Sequence, residues 1–336
     1  MGLGMAALGR PGYINLDRST VLGDDDARSI ETMQRHANAV MDCLFDHSRS
    51  SSSSGNNNAD GDDNTQHFLP WLDCARSYGL SEQFVGDYLR QKQIPPDSVY
   101  VSSKWGYTYV ADFQVSLPPG DPHEIKDHSM TNFHQQLQET EEHLGEFVKL
   151  YQIHSATFES GILTDTDVHN ALHRCRQERG WAIGSSVSSP QQGEILKQAM
   201  SIAVNGTRLF DSVQCTFNVL EQRPGPMLRL AHQAGMDIII KEGLANGRVL
   251  RHPKVIHYAA QLKCEPDQLA LACILAQPFQ PRVLSGAITP AQLDSNFQAL
   301  KVAEQLQASG LLQEIMEACC MDSDAYWSER AALRWN

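Results

Sequence analysis

Short apolar runs alternate along the chain with longer stretches in which apolar residues recur at helical spacing. The short runs have the length of buried strands, and the alternation predicts βαβ units around a parallel sheet. The predicted strands are His67–Asp73, Val99–Lys104, Phe147–His154, Trp181–Ser186, Phe210–Cys215, Met236–Lys241 and Pro281–Ser285. Their spacing of roughly 25 to 50 residues favours an (α/β)8 TIM barrel. No eighth strand is visible, and a doubly wound α/β sheet is the alternative.

One polar segment, residues 47–65, departs from this pattern. It contains the run HSRSSSSSGNNNADGDD, which begins at His47 and is almost free of apolar residues. Such a segment cannot bury enough apolar surface to offset the entropy lost on ordering, so we expect it to be disordered. It lies between a helical pattern and the first predicted strand. We therefore predict a single domain over residues 1–336, with 47–65 as an insertion in a loop.

The net charge and the cysteine content limit which classes of partner and which cellular compartment we expect. The formal net charge is −13, which disfavours nucleic acid and anionic membranes because both require clustered Lys and Arg. No apolar stretch reaches the length of about 18 residues that a membrane span needs. The eight cysteines show no CxxC spacing, so we expect reduced thiols and a cytoplasmic protein. His169 and His173 are more typical of a solvated helix face than of a metal site, and we predict none.

Four polar residues are the candidates for chemistry. Asp73, Lys104 and His154 each end a predicted strand, and Tyr78 follows the first of these strands. A parallel barrel collects its chemistry at the carboxyl ends of its strands, so we expect the four to form a proton-transfer site. A nearby ammonium would lower the pKa of a tyrosine from its usual value of about 10. Singly, each residue also has a structural explanation, such as a packing tyrosine or an Asp–Lys salt bridge.

The sequence around these residues resembles the aldo-keto reductase family. Asp73 and Tyr78 lie in WLDCARSYGLSEQFVGDYL, the lysine in SSKWG and the histidine in LYQIHS. The runs IGSSVSSPQQ, VQCTFNVLEQ and IIIKEGLANGRVL resemble the family's fourth, fifth and sixth strands, and VLSGAITPAQLDSNFQAL its cofactor-binding loop and helix. The N-terminal GLGMAALGRPGYINL and the closing YWSERAALRWN resemble a subgroup. The likeness covers nearly the whole chain outside the insertion.

The resemblance implies roles for these residues. Tyr78 would be the general acid or base, Lys104 would lower its pKa, and Asp73 would hold Lys104. His154 would orient the substrate, and Trp105 would border it. The cofactor would be NADP or NAD, bound in extended form. The residues implied for cofactor binding are Met5, Ser186, Gln214, Glu242, Gly243, Leu244, Asn246, Ser285, Gly286, Gln292 and Asn296.

Two departures from the family pattern concern the cofactor. The family often has Asn after the serine of the fourth strand, where this chain has Val187, and Ser188 is the expected substitute. The stretch Ser285–Asn296 has no Lys or Arg, although many members hold the 2′-phosphate of NADP with cations there. Because such a phosphate needs charge-assisted partners, we predict weaker discrimination for NADPH over NADH. Arg248 and Lys301 are the other cations considered for that phosphate.

These features predict an NAD(P)(H)-dependent oxidoreductase that interconverts a carbonyl and an alcohol by hydride transfer. The substrate would be a small molecule, an aldehyde, ketone or sugar hemiacetal on the carbonyl side, and Tyr78 would move the proton. The alternative is a nucleotide-binding barrel that senses redox state or acts as a scaffold with little turnover, as potassium-channel β subunits of the family do. The intact set of four residues favours the enzyme. No particular protein partner is indicated.

Overall fold

The computed structural model describes residues 1–53 and 68–336. In chain order, the strands are β1 (Gly2–Gly4), β2 (Trp71–Asp73), β3 (Tyr100–Trp105), β4 (Tyr107–Tyr109), β5 (Glu124–Lys126), β6 (Val148–Ala156), β7 (Ala182–Val187), β8 (Ala203–Val204), β9 (Thr207–Arg208), β10 (Ser212–Thr216), β11 (Asp237–Lys241) and β12 (Arg282–Ser285).

The α-helices are α1 (Arg18–Leu22), α2 (Ile30–Ser53), α3 (Ser81–Gln91), α4 (Met130–His143), α5 (Thr166–Arg179), α6 (Gln192–Ser201), α7 (Gly225–Gln233), α8 (Pro253–Leu262), α9 (Pro266–Leu275), α10 (Pro290–Ser309), α11 (Leu312–Cys319) and α12 (Ser323–Ala331). Short 3-10 helices lie at Met5–Ala7, Asp25–Ala27, Pro96–Ser98, Gly145–Phe147 and Ala245–Arg251. Within the described ranges, none of the helices is both long and apolar enough to cross a membrane.

Parallel pairing closes eight strands into a barrel, in the order β1, β12, β11, β10, β7, β6, β3 and β2. The (α/β)8 TIM barrel is therefore confirmed, and the closed sheet excludes the doubly wound alternative. Each predicted strand corresponds to a barrel strand, and six of the seven have ends within two residues of the prediction; the first, predicted as His67–Asp73, is observed as the shorter Trp71–Asp73. The antiparallel hairpins β4–β5 and β8–β9 are separate from the barrel sheet.

The strand that the sequence did not reveal is β1, Gly2–Gly4. It closes the barrel by pairing Gly2 with Leu284 of β12 and Leu3 with Leu72 of β2. A strand of three residues with two glycines shows neither alternation nor β-propensity, so pattern reasoning overlooks it. The glycine at position 2 has a packing reason, because a Cβ there would lie 2.8 Å from the Trp71 ring.

Side chains along each barrel strand alternate between the interior and the surrounding helices. On β2, Leu72 packs into the large core between the strands and the helices, whereas Trp71 and Asp73 share the opposite face. Trp71 forms a separate apolar cluster with Leu150, Ile239 and Leu284. This cluster fills the barrel beneath Asp73, so polar residues at the carboxyl ends of the strands face a cavity instead of a channel.

The helix α2 extends further than the sequence pattern indicated. It continues to Ser53, so the first part of the segment 47–65, which we expected to be disordered, is the last turns of a helix. Ser48 Oγ in this part donates to the carbonyl of Phe68 at 2.7 Å. Serine has a helix propensity close to that of many other residues. Once a long helix has formed, adding a few polar residues to its end needs no new nucleation, so the helix can extend into this segment. Residues 54–65 and His67, the first residue of the first predicted strand, lie outside the described residues.

Candidate active site

A cavity of about 960 Å³ opens at the carboxyl ends of the barrel strands. Asp73, Tyr78 and His154 line one end, which we call the tyrosine end. Asp267 of α9 and Asn296 of α10 line the other, which we call the helix end. Small-molecule and cofactor sites typically occupy roughly 300–1,000 Å³, so this cavity is at the upper limit of that range. The tyrosine end and the helix end differ in construction and in charge.

A buried ion pair lies at the base of the tyrosine end. Asp73 and Lys104 lie at the ends of the neighbouring strands β2 and β3, and Lys104 Nζ donates to Asp73 Oδ2 at 2.6 Å and to the Cys74 carbonyl at 2.7 Å. The two side chains are 2% and 0% exposed. Asp73 Oδ1 accepts from Ser102 Oγ at 2.7 Å and from Gln214 Nε2 at 3.1 Å. These hydrogen bonds compensate the desolvation of both charges and fix their geometry.

Tyr78 is held beside this pair by a tight turn after β2. Its ring centroid lies 4.7 Å from Lys104 Nζ. The turn depends on two glycines: a Cβ on Gly9 would lie 2.3 Å from the Tyr78 carbonyl, and Gly79 has φ +59° with Gly9 O where its Cβ would be. The Leu80 amide donates to the Gly9 carbonyl at 2.8 Å, which joins the N-terminal loop to the turn.

Burial raises the pKa of Tyr78 well above its usual value of 10, and the Asp73 carboxylate adds to this effect. Arg10 acts in the opposite direction. The sequence argument expected a lowered pKa because it considered the neighbouring ammonium and not the removal of the phenol from water. Desolvation penalises the phenolate more strongly than Arg10 favours it. The phenol is therefore protonated at neutral pH, which is the form of a general acid.

His154 faces Tyr78 across the tyrosine end. The two ring centroids are 5.4 Å apart at an interplanar angle of 86°. His154 Nδ1 lies 3.3 Å from Ser77 Oγ. Burial, followed by the charges of Lys104 and Lys241, lowers the pKa of His154 well below 6.5. A neutral imidazole can donate one hydrogen bond to a ligand without adding a charge to the site.

Arg10 places a second cation against Tyr78. Its guanidinium carbon lies 5.2 Å from the Tyr78 ring centroid and 4.7 Å from those of Tyr13 and Trp335. Nη1 donates to Glu124 Oε2 at 2.8 Å. Among the described residues, Nη2 of Arg10 has no hydrogen-bond partner, and the residue borders the cavity. The contact with Trp335 brings the tail after α12 to the tyrosine end.

The segment after β11 adds a third cation and a carboxylate. Lys241 Nζ donates to Ser188 Oγ at 2.6 Å and to Thr216 Oγ1 at 2.9 Å. Burial lowers the pKa of Lys241. Glu242 accepts from Arg330 of α12, at 2.8 Å from Nε and 2.5 Å from Nη2. Against the effect of burial, Arg330 and then Lys241 hold the pKa of Glu242 at about 2.

The backbone of this segment is strained where it meets the cavity. Glu242, Ala245 and Asn246 have φ values of +54°, +47° and +59°, in the left-handed region that glycine prefers. Asn246 Oδ1 is buried without a hydrogen-bond partner, as is Gln214 Oε1 across the cavity. Strained backbone and unsatisfied acceptors are typical of walls that bind a ligand.

The helix end consists of amides and carboxylates. Ser285 Oγ donates to Asn296 Oδ1 at 2.7 Å, and Asn296 Nδ2 donates to Asp267 Oδ2 at 2.8 Å. Gln292 Oε1 accepts from the Ile288 amide at 2.9 Å. The other oxygen of Asp267 has no hydrogen-bond partner among the described residues. The network thus holds Asp267 at the cavity wall with one oxygen free for a ligand.

The structure brings most of the predicted site residues to this cavity. The residues that line it are Asp73, Tyr78, His154, Gln214, Glu242, Gly243, Leu244, Asn246, Ser285, Gly286, Gln292 and Asn296. Lys104 lies directly beneath, buried against Asp73. The strand-end argument predicted that Asp73, Lys104 and His154 would converge from β2, β3 and β6, and the resemblance implied the residues contributed by β10, β12 and the segment after β11.

Three predicted site residues do not reach the cavity. Trp105 is fully buried with its ring 4.9 Å from Phe133 of α4, because the residue after the inward-facing Lys104 must face outward. Met5 packs into the core between the barrel and the helices. Ser186 is covered by the backbone of Ser155, whose amide donates to Ser186 Oγ at 2.8 Å.

Several cavity residues were not predicted. The most prominent are Arg10, Glu124, Lys241, Asp267, Arg330 and Trp335. The predicted strand Met236–Lys241 ends at a lysine, so the rule that selected Asp73 and Lys104 would also have selected Lys241. No local sequence signal marks Glu124 or Trp335, because each reaches the cavity from a long connection or from the chain end.

Comparison with known proteins identifies the family. Residues 62–311 match the model of the aldo/keto reductase family. No curated protein matches the chain. A crystal structure of a candidate aldo-keto reductase from Pseudomonas aeruginosa is similar at 18% identity and a TM-score of 0.59, covering 90% of each chain. An aldo-keto reductase from Bacillus halodurans in its holo form is similar at 19% identity and a TM-score of 0.57, covering 94% of this chain and 91% of that one.

Because the family model matches most of the chain, the protein belongs to the aldo/keto reductase family. Family membership and fold imply NAD(P)-dependent carbonyl reduction. The cavity fits a dinucleotide on three observations: its volume, the unsatisfied acceptors Gln214 Oε1 and Asn246 Oδ1, and the strained backbone beside β11.

Proposed function

We propose that this protein interconverts a carbonyl and an alcohol by hydride transfer with NAD(P)(H), with Tyr78 as the acid or base. The observation that carries the proposal is the convergence of Tyr78, His154 and the buried Lys104–Asp73 pair on one end of a cofactor-sized cavity. The bound cofactor supplies the hydride in reduction and accepts it in oxidation.

The direction of proton transfer follows from the protonation state of Tyr78. In reduction, the phenol donates its proton to the carbonyl oxygen while the carbonyl carbon gains the hydride, so the product is the neutral alcohol. Burial keeps the phenol protonated until that step. Lys104 and Arg10 lie 4.7 and 5.2 Å from the ring centroid and stabilise the phenolate that remains. The phenolate then regains a proton from solvent, and oxidation runs the same steps in reverse.

His154 orients the carbonyl. Its pKa is lowered well below 6.5, first by burial, so the ring is neutral at neutral pH. If Ser77 donates to Nδ1, the remaining ring proton lies on Nε2 and is available to the substrate oxygen. A donor on that oxygen stabilises the negative charge that develops as the hydride arrives.

The residues of the remaining cavity hold the cofactor. Gln214 and Ser188 offer hydrogen bonds to the carboxamide of the nicotinamide near Tyr78. The segment from Glu242 to Asn246 faces the pyrophosphate, and Ser285–Asn296 faces the adenosine. The substrate is a small aldehyde, ketone or sugar hemiacetal. Polar neighbours of Tyr78 on the cavity wall, such as Glu124 and Ser155, suit a substrate with hydroxyl groups.

Tyr78→Phe tests the proposal. It removes the proton donor and keeps the ring, so we expect kcat to fall by about 10² to 10⁴-fold, with cofactor dissociation constants unchanged. The measurement is steady-state turnover on a panel of aldehydes and aldoses, together with fluorescence titration of the cofactor. Tyr88→Phe is the matched control, because this phenol is on α3 and bonds to Asp42 away from the cavity.

A Tyr78→Phe variant that keeps more than half of the wild-type kcat would refute the assignment of Tyr78. A wild-type protein that binds the cofactor tightly but turns over no member of the panel would favour the sensing or scaffold alternative. The two failures are distinct, because the first concerns one residue and the second concerns the whole activity.

A further inference from the structure

We propose that Asp267 makes the helix end of the cavity selective for NAD(H) over NADP(H), with the carboxylate accepting a hydrogen bond from the ribose of the adenosine. This inference rests on the proposed function, since it requires a dinucleotide with its nicotinamide at Tyr78. It goes beyond the weaker NADPH discrimination predicted from the sequence, because it assigns the opposite preference and the residue responsible.

The position of the adenosine follows from the position of the chemistry. Tyr78 follows β2, and in the circular strand order β1 separates β2 from β12. The cavity continues from Tyr78 past β1 and β12 to α9 and α10. A dinucleotide that brings its nicotinamide to Tyr78 and fills this cavity must therefore direct its adenosine toward Asp267 and Asn296.

Asp267 is positioned to accept a hydrogen bond from a ligand. Asn296 is 3% exposed and uses both ends of its amide: it accepts from Ser285 Oγ and donates to Asp267 Oδ2 at 2.8 Å. This arrangement fixes one carboxylate oxygen and leaves the other for the cavity. A carboxylate in this role binds a ribose hydroxyl of NAD, as acidic residues do in other dinucleotide sites.

The same carboxylate disfavours NADP. A 2′-phosphate adds roughly two negative charges, and it needs Arg or Lys within hydrogen-bond distance. The cavity wall contains four cations in the part of the chain that the structure describes: Arg10, Arg18, Lys241 and Arg330. None of them is available at the helix end, as their contacts show.

All four cations are held by groups away from the helix end. Arg10 pairs with Glu124, and Arg330 pairs with Glu242. Arg18 is 1% exposed, and its Nη2 donates to the carbonyls of Ala7 and Arg10, which holds it against the N-terminal loop beside Arg10; its Nε and Nη1 have no hydrogen-bond partner among the described residues. Lys241 Nζ is held by the hydroxyls of Ser188 and Thr216 at the strand ends.

The two cations considered from the sequence do not reach the phosphate either. Arg248 donates to the Tyr326 carbonyl and to Glu329, both at 3.2 Å, and its guanidinium carbon lies 4.2 Å from the Tyr326 ring centroid. Lys301 is an exposed residue of α10 and does not line the cavity. Glu265, which does line it, adds a second acidic group beside Asp267.

Fluorescence titration of the full-length protein with NADH and with NADPH tests this inference. We expect wild-type protein to bind NADH at least tenfold more tightly. Asp267→Asn keeps an acceptor for Asn296 and removes the charge, so it should tighten NADPH binding and weaken NADH binding, and reduce the ratio at least fivefold. Glu304→Gln is the control, since it removes one negative charge from an exposed position of α10 outside the cavity.

A measurement on wild-type protein alone gives a second readout. If Asp267 repels the 2′-phosphate, added salt screens the repulsion and lowers the preference for NADH. Equal or tighter binding of NADPH, or an unchanged ratio of the two dissociation constants in Asp267→Asn, would overturn the inference and leave the proposed function intact.

A protein that binds neither nucleotide would overturn both proposals. A Tyr78→Phe variant that keeps its kcat would contradict only the proposed function, because that result does not depend on the ratio of the two dissociation constants.

Discussion

The tyrosine end and the helix end of the cavity differ in whether their charged side chains are paired with opposite charges. At the tyrosine end, cations are paired with carboxylates: the buried Lys104 with the buried Asp73, and the buried Arg10 with the partly exposed Glu124. At the helix end, Asp267 is held by a neutral amide and keeps one oxygen without a partner among the described residues. In the first arrangement a carboxylate compensates each of these two cations, whereas the second leaves an uncompensated negative charge for a ligand to meet.

The difference has a structural origin. Asp73, Lys104 and His154 of the tyrosine end lie on barrel strands, and Tyr78 follows one; these strands are hydrogen-bonded on both sides, so the sheet fixes their geometry. The helix end is built mainly from the beginning of α9 and the first two turns of α10, with Ser285 of β12. The catalytic residues and the residues that select the cofactor therefore lie in separate parts of the fold. A substitution at one end should change either turnover or cofactor preference, but not both.

The largest effect is expected at the buried ion pair. Lys104→Met leaves the Asp73 carboxylate buried and unpaired, which should lower the free energy of unfolding by about 3–5 kcal/mol and abolish turnover. The double variant Lys104→Met with Asp73→Asn should regain most of that stability but no activity, measured by urea denaturation and by steady-state turnover. Activity in the double variant would show that the pair only supports the fold.

An intermediate effect is expected from adding a cation at the helix end. Gln292→Arg gives a 2′-phosphate a charge-assisted partner worth about 1.5–3 kcal/mol, so NADPH should bind roughly tenfold or more tightly, with little change for NADH. Because Asp267 can pair with the new guanidinium, the gain should be larger in the background of Asp267→Asn. An unchanged kcat would confirm that the two ends are independent, and a large loss of kcat would contradict the comparison.

The smallest effect is expected from Arg10, which influences Tyr78 without contacting the reacting atoms. Arg10 lowers the Tyr78 pKa against burial and Asp73, so removing it raises that pKa further. Oxidation needs the phenolate, and its rate rises with pH toward that pKa. Arg10→Met with Glu124→Gln should therefore shift this limb of the pH profile upward by about one unit, while Arg10→Lys should largely preserve it. An unshifted limb would leave Arg10 a packing residue only.

The sequence was sufficient for seven of the eight barrel strands and for Asp73, Tyr78, Lys104 and His154, because both follow from local rules. Apolar runs of strand length alternate with helical patterns, and polar residues at the ends of such runs must meet at one edge of a parallel sheet. The local rules were insufficient for β1, whose three residues Gly2–Gly4 show no pattern. They were also insufficient for Trp105, which faces outward because it follows the inward-facing Lys104 on the same strand. They also misjudged the Tyr78 pKa, since desolvation depends on burial that no local pattern reveals.

By itself, the sequence determined the fold class, the family, and the identity of Asp73, Tyr78, Lys104 and His154 as a convergent set. Only the tertiary structure decided which distant charges join them: Arg10 from the N-terminal loop, Lys241 from β11, and Trp335 from the chain end. It also decided that Asp267 faces the cavity while Arg248 packs against Tyr326. The physical reason is that electrostatic interactions depend on distance through space and on burial, and neither quantity is encoded within a short stretch of chain.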